Sequence, residues 1–90
     1  MNKSYTVIYS KKSKKFIEKH RKEGVIFYKI FEELSINREN MIFYDIKSLV
    51  NEDKYRLRVG KYRATFKIVD NELIILIINI DSRGPIYKKI

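Results

Sequence analysis

The sequence predicts an α+β fold in a single domain: an N-terminal strand, a helical hairpin, then an antiparallel meander of strands. Three observations predict it. Residues 5–9 are β-branched and aromatic, residues 11–34 carry apolar side chains at helical spacing, and the second half alternates with period two around a tight loop. Ninety residues support one hydrophobic core rather than two, so the domain is read as 1-90. A hydrophobic fraction of 44% beside 34% charged residues suits a folded chain rather than a disordered one.

The run Tyr5 to Tyr9 favours a strand because branched and aromatic side chains fit a pleated, half-buried surface. Ser10 is placed to cap a helix over Lys11 to Lys22, with Phe16, Ile17 and His20 at helical spacing. Gly24 is expected to end that helix, after a basic last turn that suits the helix dipole. A second helix is expected from Val25 to Leu34, with Phe27, Ile30, Phe31 and Leu34 on its buried face. Asn37 to Asn40 reads as a polar turn. Tyr44 to Leu49 then leads toward the sheet and ends at a turn around Asn51-Glu52-Asp53.

Tyr55 to Val59 and Tyr62 to Ile68 both alternate, and Gly60-Lys61 between them suits a type II′ hairpin. That loop sets the register: Val59 opposite Tyr62, Arg58 opposite Arg63, Leu57 opposite Ala64 and Arg56 opposite Thr65. Tyr55, Leu57, Val59, Tyr62, Ala64, Phe66 and Ile68 then share one face, suited to packing on the helices. The other face presents Arg56, Arg58, Arg63, Thr65 and Lys67. After a turn at Asp70-Asn71, the unbroken apolar run from Leu73 reads as a central strand buried on both faces, ending near Ile80. Gly84-Pro85 is expected to bend the chain and set Arg83 and Tyr87 beside the basic face.

The absence of cysteine excludes disulfides, thiolate metal sites and a cysteine nucleophile. A single histidine, His20, argues against a histidine metal cluster and is read as a helix-surface or packing residue. No metal and no cofactor are expected. The N-terminal residues lack the apolar run of a signal peptide and no stretch is long enough to span a bilayer, which predicts a cytoplasmic protein without a membrane partner. The formal net charge of +9 attracts polyanions, so nucleic acid, ribosome or an acidic protein is the expected partner.

Placement of the charge narrows this further. Like charges directly opposite on paired strands cost up to about 1 kcal/mol, and Arg58 faces Arg63. Four of the six arginines fall between positions 56 and 83, in a chain with 14 lysines. A basic edge that only discouraged aggregation would accept lysine. Arginine adds a planar fork for phosphate and stacks on bases, and an aromatic such as Tyr87 among those cations suits single-stranded nucleic acid. The basic helix face of Lys11, Lys12, Lys14, Lys15 and Lys19 is read as solvated surface able to touch RNA.

From Tyr55-Arg-Leu-Arg-Val-Gly-Lys-Tyr-Arg63, through the Asp-Asn turn and apolar strand, to Asp81-Ser-Arg-Gly-Pro-Ile-Tyr87-Lys88, the chain resembles the RelE branch of the RelE/ParE toxins. The resemblance is specific from Tyr55 to Lys88 and generic before it. It implies the RelE-like fold, with a curved antiparallel sheet, and a toxin of a type II toxin–antitoxin system. It also implies a cognate antitoxin that masks the basic surface, a toxin–antitoxin complex that binds its operator DNA, and ribosome and mRNA as targets. The implied activity is ribosome-dependent endoribonuclease cleavage of mRNA, by metal-free attack of a ribose 2′-hydroxyl on the adjacent phosphate.

By position, the resemblance assigns Arg63, Arg83 and Tyr87 as catalytic residues, with the two arginines on the phosphate and Tyr87 stacking on a base or orienting the leaving end. Arg56 and Arg58 are to position the RNA backbone, with Lys54, Lys61 and Lys67 as further RNA-binding residues. One departure stands out. Members of the branch carry lysine at one or both of the positions held here by Arg56 and Arg58, and arginine does not give up its proton near neutrality. Asp81, Tyr87, Lys54 and Lys61 remain as candidate bases, beside groups of the ribosome or substrate. With three residues after Tyr87, no long C-terminal helix is expected to support it. The alternatives are a ParE-like inhibitor of DNA gyrase and a non-catalytic RNA- or ribosome-binding toxin.

Overall fold

A computed structural model of the chain describes residues 4–49 and 53–82. The order is β1 (Thr6–Tyr9), α1 (Lys11–Lys19), α2 (Arg21–Ile36), a 3-10 helix (Arg38–Phe43), β2 (Ile46–Ser48), β3 (Lys54–Val59), β4 (Tyr62–Val69), a 3-10 turn (Asp70–Glu72) and β5 (Ile74–Ser82). The strands form one sheet in the order β1-β5-β4-β3-β2. β2 to β5 make the expected antiparallel meander, whereas β1 joins β5 in parallel, with Thr6 opposite Ile74, so the whole sheet is mixed.

The β3–β4 register agrees with the sequence reading at every pair, including Arg58 opposite Arg63. Gly60 has φ 61 and Lys61 does not share a positive φ, which matches the first central position of a II′ loop. Helices cover one face of the sheet. Phe27, Phe31 and Leu34 of α2 meet Leu57, Ala64, Phe66, Ile75 and Ile77 in the core, where Phe31 and Phe66 pack edge to face at 5.1 Å.

Three expectations change. α1 stops at Lys19 because His20 leaves helical geometry (φ −119, ψ 71), and α2 begins at once with Arg21. Gly24 therefore lies inside α2 rather than ending α1. A Cβ there would stand 2.9 Å from Ile17 Cγ2, so the glycine permits close approach of the two helices. The expected polar turn at 37–40 opens a 3-10 helix capped by Asn37, whose side chain accepts from the Glu39 amide. Finally, β5 is interior but not buried on both faces: Ile75, Ile77 and Ile80 are buried, while Ile74, Leu76 and Ile78 are half-covered. Among the described residues, no helix lies over its outer face. The turn expected at 51–53 lies largely outside the described residues, as does the bend at Gly84-Pro85.

A bulge interrupts β5. Thr65 pairs with Asn79 and Phe66 with Ile77, leaving Ile78 as the extra residue. The α1 cap stabilises this point. Ser10 Oγ accepts from the Ser13 amide at 3.1 Å and donates to the Ile78 carbonyl at 2.8 Å, and the buried Ser13 hydroxyl donates to the Ile77 carbonyl. The bulge reverses side-chain parity: Ile75 and Ile77 face the core before it, Ile80 after it, and Asn79 and Asp81 turn outward beside Thr65 and Arg63.

Candidate nucleic-acid interface

The open face of the sheet holds a pocket of about 200 Å³ lined by Leu49, Arg56, Arg63, Thr65 and Asp81. Three strands build it. Arg56 sits on β3, Arg63 and Thr65 on β4, and Asp81 on β5, with Arg63 directly opposite Asp81. Arg63 Nε lies 3.7 Å from Asp81 Oδ1, too long for a hydrogen bond, while Asp81 Oδ2 accepts from Asn79 Nδ2 at 2.9 Å. Arg56 Nε is buried and has no hydrogen-bond partner among the described residues. A buried donor left unpaired costs about 1–3 kcal/mol, more when charged.

Other members of the expected basic face lie around this pocket rather than in it. Arg58 is turned to the β2 side, where its Nε donates to Asp45 Oδ2 at 2.9 Å and its backbone amide donates to the Asp45 carbonyl. Both side chains of that pair are about 40% exposed. An exposed pair is worth about 0–1 kcal/mol, so a phosphate is able to compete for the guanidinium. Lys54 and Lys67 face each other at the far end of the hairpin, with Lys67 Nζ 3.9 Å from Asp53 Oδ2. Lys61 stands in the loop with its ammonium 5.7 Å from the Tyr62 ring centroid, and Tyr62 packs toward α1, away from the pocket. Arg83 and Tyr87 lie outside the described residues.

Two partners were not assigned from the sequence. Asp45 holds Arg58 beside a β2–β3 pairing that no local pattern announces, and Asn79 bonds Asp81 two residues along the same strand, on a face that the bulge turns outward. A second, larger groove of about 500 Å³ runs between α1 and the end of β5, lined by Lys12, Lys15, Lys19 and His20 among others, and it shares Asp81 with the pocket. His20 stacks on Phe16 at 4.5 Å and leans on Tyr62, in agreement with a packing role. The phenols that the fold perturbs lie elsewhere. Tyr5 is raised by its hydrogen bond to Asp70, Tyr44 by its hydrogen bond to Glu33, and Tyr9 by burial. Among the described residues, no group of histidines and carboxylates is arranged to hold a metal, and no helix is long and apolar enough to cross a membrane.

No protein-family model matches the chain. A Methanocaldococcus jannaschii protein described as the toxin RelE1 is 35% identical over 63 residues, covering 69% of this chain and 70% of the relative. Among solved structures, the archaeal RelE–RelB complex from Pyrococcus horikoshii contains a chain of 22% identity that superposes with a TM-score of 0.78, over 91% of this chain and 98% of that one. The toxin–antitoxin complex RelBE2 from Mycobacterium tuberculosis follows at TM-score 0.67 and 23% identity, over 91% and 94%. These structures share the fold. The identity to the curated relative, over more than two thirds of its length, places the chain in a family: it belongs to the RelE toxins.

Proposed function

We propose that this chain is the toxin of a toxin–antitoxin pair and that it cleaves messenger RNA on the ribosome, in the cytoplasm. The observation that carries the reading is the pocket in which Arg56 and Arg63 converge from adjacent strands on the face of the sheet opposite the helices. Two guanidinium groups on one polar pocket fit a phosphodiester. In the reaction, the 2′-oxygen of a ribose attacks the adjacent phosphorus and the 5′-oxygen of the next nucleotide leaves. The products are a 2′,3′-cyclic phosphate and a 5′-hydroxyl. Negative charge grows on the phosphoryl oxygens in the transition state, and fixed guanidinium groups stabilise it without reorganising.

Arg63, with its side chain 24% exposed, is the less exposed of the two ion-paired arginines on this face and is assigned to that charge. Arg56 and Arg58 position the backbone, with Arg58 exchanging Asp45 for a phosphate. Arg83 and Tyr87 keep the catalytic assignments that the sequence resemblance implies. A net charge of +9 calls for an acidic antitoxin, and the similar solved toxins are held in complexes with RelB partners.

The test is cleavage of a defined mRNA on programmed ribosomes. The wild type is expected to cut, leaving cyclic-phosphate ends. Arg63→Ala is expected to slow cutting by about 100-fold or more, the typical cost of removing one oxyanion donor. Arg83→Ala and Tyr87→Ala are expected to relieve growth inhibition with the fold intact. Growth inhibition without cleavage, together with loss of gyrase supercoiling, would establish the gyrase-inhibitor alternative instead.

A further inference from the structure

We propose that Asp81 is the general base of the pocket, accepting the proton of the attacking ribose 2′-hydroxyl; this rests on the endoribonuclease reading above. Arg56 lines the pocket and Arg58 lies beside it, and an arginine does not give up its proton near neutrality. Of the other candidates, Lys61 rests over the Tyr62 ring on the helix side, and Lys54 does not line the pocket. Asp81 does line it, as the one carboxylate there among the described residues.

The geometry suits the role. Asn79 Nδ2 holds Oδ2 at 2.9 Å, which fixes the carboxylate plane. Oδ1 is 3.7 Å from Arg63 Nε, near enough for a phosphate bound by Arg63 to bring its ribose to the carboxylate, yet not engaged by that guanidinium in a hydrogen bond. The side chain is 53% exposed, so the proton it takes can pass to solvent. Cations face it from both sides: Arg63 of β4 and Arg56 of β3 in the pocket, and Lys12, Lys15 and Lys19 of α1 along the adjoining groove, where His20 and Tyr62 are also placed.

The step balances without a co-reactant. The 2′-O–H proton moves to Asp81 Oδ1 as the 2′-O–P bond forms; the P–O5′ bond breaks, and the departing oxygen takes a proton from water. Neither redox change nor net hydrolysis is involved.

The experiment compares the full-length wild type, Asp81→Asn and Asp81→Glu in single-turnover mRNA cleavage on programmed ribosomes, from about pH 6 to pH 9. Ribosome binding and thermal melting are measured alongside. The wild type is expected to be nearly flat across this range. Asp81→Asn is expected to fall at least about 100-fold at neutral pH and to climb about tenfold per pH unit as hydroxide replaces the missing base, with ribosome binding unchanged. Asp81→Glu, which keeps a carboxylate, is expected to recover part of the rate and the flat profile. Cleavage by Asp81→Asn within about threefold of wild type, with the same pH profile, overturns the assignment while leaving the endoribonuclease reading intact. A wild type that binds ribosomes and cuts nothing overturns both.

Discussion

Single residues show how much of this chain is set by close approach. Gly24 is a position where the sequence suggests a helix end and the structure supplies another reason for glycine. A Cβ would meet Ile17 Cγ2 at 2.9 Å and the Ile17 Cα and carbonyl oxygen at 3.1 Å, and backbone yields little. Gly24→Ala gains up to about 1 kcal/mol of helix propensity, while overpacking costs about 1–3 kcal/mol. The net expectation is a loss of roughly 1 kcal/mol and a lower melting temperature; a variant that melts higher would show that the helices separate freely. Arg58 teaches a related lesson. Its position opposite Arg63 was legible from the hairpin loop, but its carboxylate partner was not, because Asp45 immediately precedes β2, which pairs with β3 only in the folded chain.

At the scale of elements, the β3–β4 hairpin was readable in full. A two-residue loop and period-two alternation leave one register that buries Leu57, Ala64 and Phe66 together. The helices were readable by face but not by boundary, since Phe27, Ile30, Phe31 and Leu34 set the buried stripe whatever ends the helix. β5 was the hardest element. Its apolar run carries no alternation, so nothing local marks Ile78 as the bulged residue. Ser10 joins the bulge to α1, capping the helix and donating to the freed Ile78 carbonyl. Ser10→Ala is expected to cost about 1–2 kcal/mol in urea denaturation, from the lost cap and the carbonyl left without its donor. A loss below about 0.3 kcal/mol would mean that the bulge stands without the helix.

On the scale of the whole molecule, the proposed function asks net charge and the pocket to act on one ligand at different ranges. A charge of +9 would draw RNA from a distance, and the pocket would hold one phosphate in place. RNA affinity is therefore expected to fall linearly with salt on logarithmic axes, by about 0.7 per phosphate contacted on a single strand, with Arg63→Ala reducing the slope by roughly that amount. A flat salt titration would remove the basic face from RNA binding.

The amino-acid sequence alone determined the fold class, the buried helix stripe, the hairpin register and the concentration of arginine on one face of β3 and β4. All of these follow from periodicity and loop length, which act between near neighbours. Only the tertiary structure decided that β1 lies parallel to β5, that Asp45 engages Arg58, and that Asp81 stands beside Arg63. The physical reason is parity. Without the extra residue at Ile78, Asp81 would point into the core with Ile75 and Ile77, and that one-residue offset is stabilised by hydrogen bonds from a helix more than 60 residues away in the chain.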